Sequence, residues 1–136
     1  MSETNTSNTN DLLFEDELET STKPWGIEED QFTMLMHIAQ FAGVVVPMAG
    51  LALPIVMWAT NKENNELVDE HGKNIINWMI SLIIYFAIAI PLCFLIIGIP
   101  IVMVLGLLTV LFPIIGAVKA SNGEVYTYPL TIKFLK

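Results

Sequence analysis

Two histidines, two asparagines, a glutamine and a knot of carboxylates are the residues of this chain with chemistry to offer. His37 and Gln40 are spaced i, i+3 in one apolar stretch. His71 stands in the run Asp69-Glu70-His71-Gly72-Lys73, and Asn74 and Asn77 follow it, again i, i+3. Residues three apart on a helix share a face, so each pair presents its polar groups together. Imidazole and carboxylate are metal ligands, and His37, His71, Asp69 and Glu70 form one candidate set at a membrane edge. The competing reading is an interhelical hydrogen-bond cluster in which His37, Gln40, His71, Asn74 and Asn77 satisfy one another among apolar helices. We adopt the cluster and expect no metal site. Titration of His71 as a pH switch is a third option, with Asp69 and Glu70 opposed by Lys73 in setting its charge. No Ser-His-Asp grouping, phosphate-cradling glycine loop or spaced metal motif is found, so no catalytic residue and no cofactor is expected. The single cysteine, Cys93, lies inside an apolar run and reads as packing.

The elements that must position these groups are set by hydropathy. The chain has 136 residues, 54% of them hydrophobic, and the acids lie almost wholly outside the apolar runs. From Asn74 to Val118, about 45 residues, there is no charged side chain. At 1.5 Å per residue against a bilayer core of about 30 Å, that length suits two spans. Gly98 and Pro100 divide it, which predicts a hairpin of transmembrane helices over 74–97 and 99–118. Pro91 is expected to bend the first of these.

A second run without formal charge covers Gln31 to Asn61. Its centre carries Gly43, Pro47, Gly50 and Pro54, which cut it into pieces too short to cross alone. Two paths are open for 27–60: one kinked span, or a broken pair that dips in and returns. Lysine placement prefers the second, because all six lysines then share one face with only the Gly98 turn opposite. The fold class expected is an all-α integral membrane protein: a broken, re-entrant first helical pair followed by a two-helix transmembrane hairpin.

The remaining segments flank these. Residues 1–26 are rich in Ser, Thr, Asn and acids and are expected to be a disordered acidic tail. Within it Leu12, Leu13, Phe14 and Leu18 among carboxylates offer a docking peptide as the sharper alternative to a solvated tail. Residues 61–73 read as a polar loop, with Asp69 or Glu70 stabilising the start of the next helix. Lys73 and Lys119 bracket the hairpin at the membrane interface. Residues 119–136 carry Tyr126, Tyr128, Lys133 and Lys136, which suggests a segment lying on the surface.

Asp69-Glu70-His71-Gly72-Lys73 followed by Asn77-Trp78 resembles the D-E-H-G-K-E-A-L-N-F-Q box of a widespread bacterial family of unknown function. The ending from Lys119 through Tyr126, Tyr128 and Pro129 to Ile132 is similar to that family's K-A-x-x-G-x-x-Y-x-Y-P-L-T-I close. Asn74 and Met79 stand where the family often has Glu and Gln. The resemblance covers about Asp30 to the end. It implies kinship with the Tic-twenty-like proteins, relatives of a membrane subunit of the chloroplast inner-envelope import machinery.

The balance of charge excludes one large class. A net charge of -8, with six lysines and no arginine, cannot neutralise a phosphate backbone, so nucleic acid is not a partner. The partners expected are the lipid bilayer and either further copies of the chain or another membrane protein. The function expected is that of a non-enzymatic membrane subunit or scaffold of a protein-translocation type, with an oligomeric channel or carrier as the alternative. Carriers usually hold ionisable groups within the bilayer, and both apolar runs lack Asp, Glu, Lys and Arg. The location expected is the bacterial plasma membrane, multi-pass, with both termini cytoplasmic.

Overall fold

In lipid every backbone N–H and C=O must find its partner within the protein, so apolar runs of this kind fold as helices. The computed structural model describes residues 10–15 and 23–136, and among these there is no strand. Four helices carry the fold: α1 (Glu29–Ile38), α2 (Ala49–Asn61), α3 (Glu66–Leu92) and α4 (Gly98–Ser121). A 3-10 segment, Ala39–Val44, continues α1, and another, Cys93–Leu95, follows α3.

α1 begins with Glu29 and Asp30 in its first turn, where the positive end of the helix dipole favours carboxylates. The chain then reverses around Pro47 and comes back as α2. The two arms touch backbone to backbone where they turn: a Cβ on Gly50 would lie 2.6 Å from the Gln40 carbonyl oxygen and 2.8 Å from the Gly43 Cα. Only glycine fits that crossing. At the other end Asn65, just beyond α2, donates from Nδ2 to Glu29 Oε1 at 2.6 Å. The start and the finish of this pair therefore lie side by side.

α3 starts two turns earlier than the sequence suggested. The stretch read as a loop to residue 73 is helical from Glu66 onward. Its N-cap is Asn65, whose side chain accepts from the Val68 N–H at 3.0 Å. Asp69 and Glu70, expected to start the helix, lie within it. The charges that looked like loop are the solvent face of the first turns, while Val68, His71 and Gly72 on the other face are buried. α3 ends one residue after Pro91. α4 starts at Gly98, which puts Pro100 in the first turn, where a backbone N–H has no intrahelical acceptor to lose.

The core sits at one end of the molecule. Phe32 and Met36 of α1, Val68, Ile75 and Trp78 of α3, Phe112 of α4, and Tyr128 beyond α4 are buried together. The opposite end is bare: Val44 and Val45 are 84% exposed and Phe94 is 91% exposed. α3 extended to Leu95 and α4 are both long and apolar enough to cross a membrane. Only 22% and 28% of their most apolar windows are buried inside the chain, so they are not the sheltered core helices of a water-soluble domain.

The acidic tail expected over 1–26 falls mostly outside the described residues. Of its described part, residues 10–15 are helical, with Leu12, Leu13 and Phe14 exposed, and Pro24–Gly26 forms a 3-10 turn.

Candidate functional site

Thr33, Asn61 and Asn65 bond groups close to the helix ends, and the other buried polar residues belong to two sets that residue 128 joins. The first set is a linear chain of hydrogen bonds. Gln40 Nε2 donates to Tyr128 Oη at 2.9 Å, Tyr128 Oη lies 2.5 Å from His37 Nδ1, and His37 Nε2 lies 3.0 Å from His71 Nδ1. The tautomers follow from the partners. With Tyr128 donating to His37 Nδ1, His37 carries its proton on Nε2 and gives it to His71 Nδ1. Neutral His71 then holds its own proton on Nε2, which has no partner among the described residues. Each internal link has one donor and one acceptor, so the chain is self-consistent with both rings neutral.

Packing fixes this geometry. His37 and His71 are both fully buried. α4 comes against the His37 ring at Gly116, where a Cβ would stand 2.3 Å from Nδ1. The Tyr128 ring lies parallel to Trp78, centroids 5.6 Å apart and planes 2° off, with Phe112 and Tyr126 at its edges. Burial pushes the phenols of Tyr126 and Tyr128 above the usual tyrosine range, so Tyr128 stays a donor.

The second set is a ladder from α3 to the chain beyond α4. Asn74 Nδ2 donates to the Tyr126 carbonyl at 3.0 Å. Asn77 uses both ends of its amide: Nδ2 donates to the Leu135 carbonyl at 2.8 Å, and Oδ1 accepts from the Phe134 and Leu135 N–H groups at 3.0 and 2.7 Å. Ser81 Oγ accepts from the Ile132 N–H at 2.8 Å, and Tyr85 Oη donates to the Leu130 carbonyl at 2.5 Å. Along α3 the order is 77, 81, 85, while along the tail it is 134–135, 132, 130. The returning tail thus runs antiparallel to α3 over about 12 Å of helix. It turns at Leu130, whose φ is 64°. These side chains supply the hydrogen bonds that an irregular backbone lacks.

The sequence-predicted residues are divided accordingly. His37, Gln40 and His71 meet in the first set. Asn74 and Asn77 face the tail instead, because the tail's unpaired backbone groups reach them first. Of the two tyrosines read as interface residues, Tyr128 is inside at 2% exposed, and Tyr126 is half-buried against the same core. The segment read as lying on the surface is folded back along α3 as far as Tyr85. Ser81 and Tyr85 were not singled out. Their signal was available, since 74, 77, 81 and 85 form one stripe at helical spacing.

The carboxylates of the metal reading are elsewhere. Asp69 accepts from Trp58 Nε1 at 2.9 Å and pairs with Lys73 Nζ at 2.5 Å, and Glu70 is exposed. Among the described residues no group of three or more His, Cys, Asp or Glu is placed to hold a metal ion. Lys119, at the end of α4, pairs with Glu124 at 2.6 Å on the surface.

No curated protein and no solved structure matches the chain. One family model does, that of the magnetosome magnetite crystal formation proteins, over residues 28–135. The match takes in all four helices and the strapped tail, and with the two apolar helices it makes this a bacterial membrane protein. The chain belongs to the magnetosome magnetite crystal formation protein family.

Proposed function

We propose that the chain is a non-enzymatic structural subunit that assembles within a membrane, with itself or with a larger membrane protein. The observation that carries this reading is where the polar groups of α3 go. Asn74, Asn77, Ser81 and Tyr85 all bond the chain's own tail, and from Phe86 to Val118 the hairpin bears no charged or amide side chain. A conducting path selects its solute with polar or charged groups turned into the pore, and this molecule uses its polar side chains to hold itself together. The far half of the α3–α4 hairpin is left as two apolar helices with exposed Ile88, Ile90, Met103 and Leu107, a surface for lipid or for another helix.

The family description ties its members to forming a mineral crystal, which is a structural task. For this chain it supports a scaffold that organises a patch of membrane. A place in a protein-translocation complex is the narrower form of the same reading, supported by the resemblance of the Asp69–Lys73 box and the Tyr126–Ile132 close. An oligomeric channel or carrier is the rival.

In this reading α1 and α2 dip into the bilayer and return, α3 and α4 cross it, and both termini lie on the cytoplasmic face of the bacterial plasma membrane. The contact between Asn65 and Glu29 supports the return, since it brings both ends of the first pair to one level. Single cysteines at Lys23, Asn64, Ile97 and Lys136, in a Cys93→Ser background, test it with a membrane-impermeant thiol reagent. Positions 23, 64 and 136 are expected to label from one side and 97 from the other. Labelling of 23 and 64 from opposite sides overturns the path. Crosslinking in native membranes tests assembly: a product of two or more copies, or of a copy with a larger protein, is expected. Monomer alone at every crosslinker length refutes the subunit, and solute flux through reconstituted vesicles establishes the rival.

A further inference from the structure

Six lysines offset fourteen acids in this chain, and most of them are engaged locally. Lys23 pairs with Glu28 at 3.0 Å, Lys62 lies over the Trp58 ring at 4.4 Å, and Lys119 pairs with Glu124. Lys133 and Lys136 have no ion pair among the described residues, and both open onto one cleft of about 630 Å³ between α3 and the returning tail. Lys73 lines the same cleft, and its bond to Asp69 leaves two of its three ammonium hydrogens for another acceptor. Glu70 is the one carboxylate among the lining side chains. Half of the cations of a strongly acidic protein thus converge on one concave surface.

Its level in the fold gives it a second property. Lys73 is the last charge before the uncharged run of α3, so the cleft sits where the helix passes from water into its apolar stretch. Val125 and Leu135 supply an apolar wall. Long lysine stems lie along such a wall while the ammonium group stays at the polar edge. Clustered ammonium groups at an apolar boundary match a phosphate group in charge, in acceptor number and in depth.

We propose that Lys73, Lys133 and Lys136 form a binding site for a phosphate group, carried either by an anionic phospholipid headgroup or by a free phosphate ion. The tail ladder builds it: Asn77 holds Phe134 and Leu135, and so sets Lys133 and Lys136 opposite Lys73. The membrane placement argued above bears only on which carrier brings the phosphate, because convergence of the three cations does not depend on it.

The test uses the full chain in mild detergent, with native mass spectrometry reading retained phosphatidylglycerol against phosphatidylcholine and calorimetry reading inorganic phosphate. The variants are Lys133→Gln/Lys136→Gln, Glu70→Gln, and Lys62→Gln as a cation outside the cleft. A lysine beside an anionic lipid contributes about a fivefold factor in affinity, so the double variant is expected to bind about 25-fold more weakly and Lys62→Gln to bind as the parent does. Glu70→Gln is expected to bind several-fold more tightly, and it reads the site even if the double variant misfolds. Selective retention of phosphatidylglycerol identifies the headgroup as carrier, and binding of inorganic phosphate without lipid identifies the free ion. Equal retention of the two lipids with no phosphate binding overturns the site, as does binding unchanged in both the double variant and Glu70→Gln.

Discussion

Replacing Asn77 with leucine is the sharpest way to ask whether the ladder holds the tail. The side chain is 1% exposed and makes three hydrogen bonds to tail backbone, two as acceptor and one as donor. Leucine keeps the number and branching of the heavy atoms and removes all three. Polar bonds within membrane proteins average about 0.6 kcal/mol each, so the loss is about 2 kcal/mol. If the two N–H groups and the carbonyl stayed buried without partners, the penalty would reach about 1–3 kcal/mol for each group. The tail escapes that larger penalty by peeling away, so the effect concentrates there and leaves the helices in place. At 1.36 kcal/mol per factor of ten, about 2 kcal/mol multiplies the open population of the tail about 30-fold. Hydrogen exchange in lipid nanodiscs reads this at the amides of Ile132, Phe134 and Leu135. Asn74→Ala, which removes one bond to the Tyr126 carbonyl, serves as the measured unit and should speed exchange only about threefold. Exchange at Phe134 and Leu135 that is no faster in Asn77→Leu than in the parent would refute the ladder as the tail's restraint.

Other consequences follow from the same contacts. Gly116→Ala places a methyl group against the His37 ring and is expected to destabilise by about 1–3 kcal/mol, seen as a lowered unfolding temperature in detergent. Gly50→Val drives a branched side chain into the Gln40 carbonyl and the Gly43 backbone. It should separate the arms of the first pair, and a lowered unfolding temperature in detergent would show it. Tyr128 has a pKa raised by burial, so the folded state keeps a proton that the unfolded chain gives up near pH 10. Stability is therefore full below about pH 10 and falls as the pH rises above it. Tyr128→Phe should flatten that fall while lowering stability at neutral pH, because Gln40 and His37 lose their shared partner.

The parts of this fold that were legible beforehand are those that depend on hydropathy summed over many residues. The uncharged stretch between Lys73 and Lys119 marks the α3–α4 hairpin, and Gly43, Pro47 and Gly50 mark where the first pair turns. Details carried by one side chain were harder to read. The charged residues from Glu66 to Lys73 look like loop because a helix with one wet face has the same composition, and the deciding group was the cap at Asn65. Asn74 and Asn77 declared that they needed partners, but which partners depended on a tail with no periodicity of its own. A polar side chain on an apolar helix invites the assumption that another helix answers it. Here the answering groups are the main chain at Tyr126 and at residues 130–135, which no pattern of side chains advertises.

That distinction bears on what the polar residues are for. An asparagine that bonds another helix's side chain gains modestly and can be replaced by a methyl group if both partners change. A main-chain N–H or C=O has no such substitute, since it remains polar whatever the sequence. With its ladder removed, the segment from Leu130 to Leu135 would have to leave the side of α3 for water, taking Tyr128 from beside Trp78 and His37. The chain from Gln40 through Tyr128 to His71 would then lose its middle. The two buried polar sets are therefore one structural device: the ladder keeps the tail down, the tail keeps Tyr128 in place, and Tyr128 joins α1 to α3 through His37. A scaffold gains a fixed shape from this arrangement, whereas a conducting path would need those same groups free to meet a solute.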